Sequence, residues 1–157
     1  MSNFSNKTIA REFSFKLVYK VLNAEKELLE LLLSKSPKDE YERFIEEFTN
    51  SCVEPDVEHP NNQLPTNAKN FAMLLSNGVF ENKEALEEKV GSKLHKRKIT
   101  QLEKIDYSLL MLGAFEILLY KETPKAVVID EMVNLAKKYG TTDSYSFING
   151  TLDSLGK

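Results

Sequence analysis

Cysteine, histidine and long apolar runs are all scarce in this chain, and each scarcity removes a class of function. Cys52 is the single cysteine, so no internal disulfide can form, and a lone thiol with no neighbouring histidine does not suit zinc or thiol chemistry. The two histidines, His59 and His95, stand far apart in different contexts, so neither a metal nor a cofactor is expected. The longest apolar stretches, such as LLMLGAF beginning at Leu109, fall well short of the ~20 residues that span a bilayer. The N-terminus lacks a signal-peptide pattern, so a cytoplasmic protein with no membrane contact is expected. Phosphate-cradling loops of the P-loop and GxGxxG types are also missing. Glu116, Asp130 and Glu131 are the obvious carboxylates for acid/base work. They flank apolar helical stripes, however, where such groups are usually solvated or paired with lysines. The chain therefore reads as non-enzymatic.

What the chain does have is helix. Its 157 residues, 41% hydrophobic and 29% charged, match one domain around one core. Ile9, Phe13, Leu17, Val21 and Leu22 repeat at helical spacing, and Leu28 to Leu33 continue as a second or extended apolar helix. Ser36, Pro37, Asp39 and Glu40 read as the start of a third helix, with Tyr41, Phe44, Ile45 and Phe48 on its buried face. Residues 50–66 carry Pro55, Pro60 and Pro65 with no usable apolar period, which predicts a mobile surface loop. Beyond it Phe71, Leu74, Leu75, Val79, Leu86, Val90, Leu94 and Ile99 line helical faces, with Asn77-Gly78 a close-approach or kink site. Ile129, Met132, Val133, Ala136 and Tyr139 form a further stripe. Thr123 is placed to N-cap that helix, Pro124 to occupy its first position, and Gly140 to end it in the left-handed conformation. Thr141, Thr142 and Asp143 then supply oxygens to start the last helix. No strand pattern and no internal repeat is visible, so an all-α fold is expected.

The net charge is −3, yet screening confines fields to roughly 10 Å at moderate salt, so local distribution decides which partners a surface can meet. Acidic residues crowd 25–58. Lys7, Arg11, Lys16 and Lys20 populate the first helix, and Lys89, Lys93, Lys96, Arg97 and Lys98 make a second basic run. Either run could meet phosphate. Taken alone, lysine-rich helix ends are more often solubilising surface.

Several strings carry a resemblance. AREFSFKLVY (10–19), Asp106, LLMLGAFEIL (109–118), Pro124, IDE (129–131), LAK (135–137) and FING (147–150) occur in the order and separation found in the NusB family of bacterial transcription antitermination factors. The chain resembles that family at both ends. The resemblance implies a NusB-like fold of about seven helices in two packed halves within one domain, 1–157. It implies a factor that binds single-stranded boxA RNA of nascent rRNA together with NusE, a small-subunit ribosomal protein, and with other Nus factors and RNA polymerase indirectly. Carried over by position, it implicates Lys7, Arg11, Tyr19, Asp143, Ser144 and Phe147 in RNA binding, and Asp106 with its helix in docking NusE. Cations at Lys7 and Arg11 would neutralise phosphates, and Tyr19 and Phe147 would face unstacked bases. From the residues alone, Tyr19 and Phe147 suit core packing equally well, and Asp143 suits helix capping. Asn149-Gly150 reads structurally, as a glycine that lets helices approach.

Two departures from the family pattern stand out: the N-terminus is poorer in arginine, and Tyr107 and Met111 occupy positions where arginines are common. Lysine does not reproduce bidentate guanidinium recognition, so a partner chain that adds avidity is expected. Two alternatives follow. One is an interaction module that has lost RNA selectivity. The other is a domain related to those preceding the catalytic domain of rRNA cytosine methyltransferases, against which the absence of a cofactor-binding domain argues. Self-association as a homodimer is a further possibility that the resemblance leaves open.

Overall fold

The computed structural model describes residues 3–23, 43, 46–48 and 65–156. Six α-helices are complete among them: α1 (Asn3–Leu22), α2 (Thr66–Glu81), α3 (Lys83–Gly91), α4 (Lys104–Phe115), α5 (Lys125–Tyr139) and α6 (Ser144–Ser154). No strand occurs among the described residues, in keeping with the all-α expectation. The apolar helix expected over Leu28 to Leu33, the start of the third helix and most of the 50–66 loop, with Cys52 and His59, lie outside the described residues. Phe48, from the third helix, is buried and meets Phe13 edge-on at 5.4 Å. None of the described helices is long and apolar enough to cross a membrane.

The fold is organised around α4. Every residue from Ser108 to Phe115 is buried, as befits a helix that is apolar on all sides. Helices α1, α2, α3, α5 and α6 all pack on it. Close approach on two sides is made possible by glycines. A Cβ on Gly78 of α2 would come within 2.1 Å of the Phe115 ring, and one on Gly113 of α4 within 2.9 Å of Leu152 of α6. The Asn77-Gly78 signal is therefore a close approach. Helix α1 is buried over more of its surface than its apolar stripe suggested: Ala10, Phe13, Phe15, Leu17, Val18 and Val21 face the core, while Ile9 is 37% exposed.

Helix ends follow local chemistry, with three differences from expectation. Asn23 and Asn82 close α1 and α2 by turning their side-chain amides back to Tyr19 and Gly78 carbonyls, each at 2.8 Å. Pro124 precedes α5 as its N-cap residue, and Thr123 does not cap, because its Oγ1 is buried without a hydrogen bond. Gly140 is extended, at φ −94° and ψ −171°. Glycine is needed there for space, since a Cβ would meet Ser144 Oγ at 2.7 Å and the Ala136 carbonyl at 2.8 Å. The left-handed conformation belongs to Lys121, at φ 63°. It terminates a widened turn, 116–120, in which the Lys121 amide donates to the Glu116 carbonyl five residues back at 3.1 Å.

Gly150 behaves oppositely to Gly78. A Cβ there would meet nothing within 4 Å, so the close-approach reading of Asn149-Gly150 does not hold. Overpacking at Gly78 costs about 1–3 kcal/mol, against the roughly 0.5–1 kcal/mol that alanine contributes in a helix interior. Gly78→Ala is therefore expected to lower the melting temperature and Gly150→Ala to raise it slightly, as thermal unfolding followed by circular dichroism would report.

Candidate nucleic-acid interface

Arg11, expected at a phosphate, is an interior residue. Its side chain is 2% exposed, and burying a guanidinium requires carboxylates and a full set of acceptors. Glu116 supplies a bidentate pair, accepting from Nε at 2.9 Å and Nη2 at 2.6 Å. Glu131 lies 3.4 Å from Nη1 and also accepts from the Thr8 hydroxyl at 2.8 Å. The guanidinium carbon stands 5.4 Å from the centre of the Phe71 ring, as does the ammonium of exposed Lys7. The sequence held a signal for this: Glu116 interrupts the run from Leu109 to Leu118, and a carboxylate inside such a run needs a buried cation. The position of Met111 points the same way. Fully buried, it is not a surface position stripped of an arginine. Tyr107 donates its hydroxyl to Glu87, which is also paired with Lys83 at 2.9 Å.

The remaining expected residues gather elsewhere. At about 3.6 residues per turn, Tyr19 lies some 120° around α1 from Lys7, on the face shared with Glu12, Lys16 and Asn23. Tyr19 is 38% exposed. It neighbours Phe15, whose ring meets Tyr139 at the end of α5 at 5.2 Å. The ammonium groups of Lys16 and Lys138 lie 6.0 Å and 5.3 Å from the centre of that Tyr139 ring. Lys138 donates to Glu12 at 2.6 Å, and the Tyr139 hydroxyl donates to the same carboxylate oxygen. Burial alone would raise the Glu12 carboxyl, but the Lys138 and Tyr139 bonds, aided by the Lys16 charge, hold it below its ordinary value. The acidic residue that α1 carries on this face is thereby held ionised and paired with a cation.

From Tyr19 a chain of contacts runs to α4. Asn23 approaches Ser108 Oγ at 3.4 Å, and Ser108 bonds the Lys104 carbonyl at 2.8 Å. Asp106 is on the same helix turn. Past Asp106 come Ser144, Tyr145 with Lys137 at 5.5 Å from its ring centre, and Phe147 with the Arg97 guanidinium 4.4 Å from its ring centre. Asp143 is exposed at the N-cap position of α6 without a capping bond from its side chain. Ser144 is buried, and its hydroxyl accepts from the Thr141 amide at 3.1 Å, so it builds the corner from within. The product is a ridge of exposed and half-buried rings with ammonium groups along α1, the end of α5 and the start of α6. Sequence reasoning missed Lys137, Lys138, Tyr139 and Tyr145, because each reads as ordinary helix surface or stripe.

Asp106, expected at a partner surface, is 4% exposed, with Oδ1 lacking a hydrogen bond. Burial raises its carboxyl above the ordinary 3.8; the Ser144 hydroxyl and the Arg97 charge oppose this, and Glu103 adds to it. A carboxyl that holds its proton more tightly when folded contributes stability that is full below the unfolded value and is lost as pH rises through the folded one. At neutral pH the buried charge is thus a cost. Asp106→Asn is expected to be more stable than the parent at pH 7, with the advantage shrinking as pH falls through the raised folded value and gone below 3.8; urea unfolding at several pH values measures it. Arg11→Met leaves Glu116 and Glu131 buried without their cation, and the same unfolding assay should show a loss of about 3–5 kcal/mol.

The profile of the NusB family matches residues 8–157. Transcription antitermination protein NusB of Macrococcus caseolyticus is 36% identical over 126 residues, covering 80% of this chain and 88% of that protein. The Campylobacter jejuni RM1221 protein of the same name is 43% identical over 89 residues, 57% of this chain and 67% of its own length. That of Geotalea daltonii is 41% identical over 85 residues, 54% of this chain and 59% of its own. The solved T. maritima NusB superposes with a TM-score of 0.68 at 26% identity, covering 94% of this chain and 87% of that one. A chain in the crystal structure of a plectonemic RNA supercoil has the same TM-score of 0.68 at 21% identity, covering 95% and 92%, a likeness of fold. With the family profile spanning nearly the whole chain and the helical architecture agreeing with a solved NusB, this protein belongs to the NusB family of transcription antitermination factors.

Proposed function

We propose that the chain binds the boxA element of nascent rRNA as single-stranded RNA, together with NusE, and so lets RNA polymerase pass terminators. The observation that carries this reading is the set of aromatic rings, exposed at Tyr19 and Tyr145 and half-buried at Tyr139 and Phe147, flanked by ammonium and guanidinium groups. Single-stranded RNA is held by that combination: rings stack on unpaired bases while cations neutralise phosphates. Tyr19 and Phe147 take the stacking role, Lys16, Lys137 and Lys138 the phosphates, and Asp143 the edge of a base. Ser144 acts beneath them by shaping the corner. Arg11 contributes by holding α1 in place, and Lys7 supplies a cation on the flank of α1 away from the ridge.

NusE docking is assigned to the rim of α4 around Asp106, where Glu103 and Lys104 are exposed and Ile105 is half-buried. Asp106 itself would shape that rim from below. A modest RNA surface joined to a second one gains avidity without new base contacts.

Fluorescence anisotropy with labelled boxA RNA and a scrambled control, with and without NusE and across a salt series, tests the proposal. Selective binding strengthened by NusE is expected. Tyr19→Ala should weaken it by the ~1–3 kcal/mol typical of one stacked base, roughly five- to a hundredfold. NusE binding with no RNA selectivity would instead identify an interaction module that has lost its RNA.

A further inference from the structure

The basic turn at 93–98 is absent from the reading above except for Arg97. It faces α6 across a groove of about 430 Å³ lined by Lys93, Leu94, His95, Lys96, Arg97, Phe147, Gly150 and Thr151, among others. A space of this size admits one nucleotide-sized group. No described carboxylate lines it, and Lys93, Lys96 and Lys98 form no ion pair among the described residues. Cations this close repel one another within a screening length, so the turn gains most from an anionic occupant. One wall is the Phe147 ring already stacked by the Arg97 guanidinium, a planar cation and aromatic pair of the kind that receives a base. The floor is open at Gly150, where packing does not demand a glycine.

We propose that this groove is a second RNA contact, in which Lys93 and Lys96 each hold one of two successive phosphates and the neighbouring base enters over Gly150 beside Phe147. The bound RNA therefore continues past the segment that meets Tyr19. The inference rests on the RNA-binding reading and adds a footprint to it.

The test uses the full chain with NusE and two labelled RNAs, the boxA core alone and the core lengthened at each end in turn. Lengthening at one end should tighten binding. Lys93→Gln with Lys96→Gln should abolish that gain and lower the salt slope by about 1.4, since each single-strand phosphate contact contributes about 0.7. Gly150→Glu, which places a carboxylate in the open floor, should abolish the gain while a thermal melt shows the fold intact. Core binding should be unchanged in the lysine variant. Core binding with no gain on lengthening, or a gain untouched by the variants, overturns the second contact and leaves the main reading standing. Failure of both RNAs to bind removes both.

Discussion

The bidentate ion pair between Arg11 and Glu116 is the constraint on which the rest of this structure depends. A buried guanidinium and carboxylate contribute little net stability compared with an apolar replacement, because desolvating both offsets their attraction. What the pair supplies is register. The fork has fixed angles, so α1 can pack in one rotation only. Glu131, drawn in beside Glu116, sets α5 against the same helix. Glu116 is itself positioned by the widened turn after α4, where its carbonyl accepts the Lys121 amide. That turn directs Tyr120 onto Phe71, at 5.6 Å between ring centres, and Phe71 in turn underlies Lys7 and Arg11. Three helices and one irregular turn are thus fixed by a single side chain.

Fixing α1 in this way determines which of its cations face outward. Arg11 is consumed inside, whereas Lys16 and Tyr19 emerge on the opposite flank beside the end of α5. Glu12 there is paired with Lys138, which leaves Lys16 and Lys137 to meet an anion although the chain is acidic overall. Tyr139, Tyr145 and Phe147 on this ridge each have a cation at the ring, so the surface pairs stacking area with charge at several successive points. The arrangement suits an extended ligand better than a compact one.

How much of this the sequence held can be judged residue by residue. LLMLGAF was legible as a short apolar run, whereas its place at the centre of the fold follows only from the helices that enclose it. Gly78 was legible because it interrupts an apolar period. Arg11 was not read correctly: a cation on an N-terminal helix looks the same whether it faces solvent or a carboxylate 105 residues away. The left-handed residue was misplaced to Gly140, because local propensity favours glycine, while the widened turn forced Lys121 into that conformation. Gly150 looked like a packing glycine, since sequence shows a missing side chain without showing whether anything fills its place. Periodicity identifies a buried face; it does not say what covers that face or which charges meet across it.

Lys125 deserves a last consequence. Its ammonium donates to the Asp153 and Leu155 carbonyls, each at 2.5 Å, and so meets the free acceptors at the C-terminal end of α6. Aligned peptide dipoles give a helix about half a unit of charge at each end. Here the negative half is answered by a cation from α5. The positive half, at Ser144, is answered through space by the exposed Asp143 at the N-cap position, without a capping bond, and by Asp106, whose burial favours its neutral form. Helix α6 is therefore clamped by direct bonds at its negative pole alone, while its positive pole, beside the ridge, is held only by a carboxylate that stays free to move.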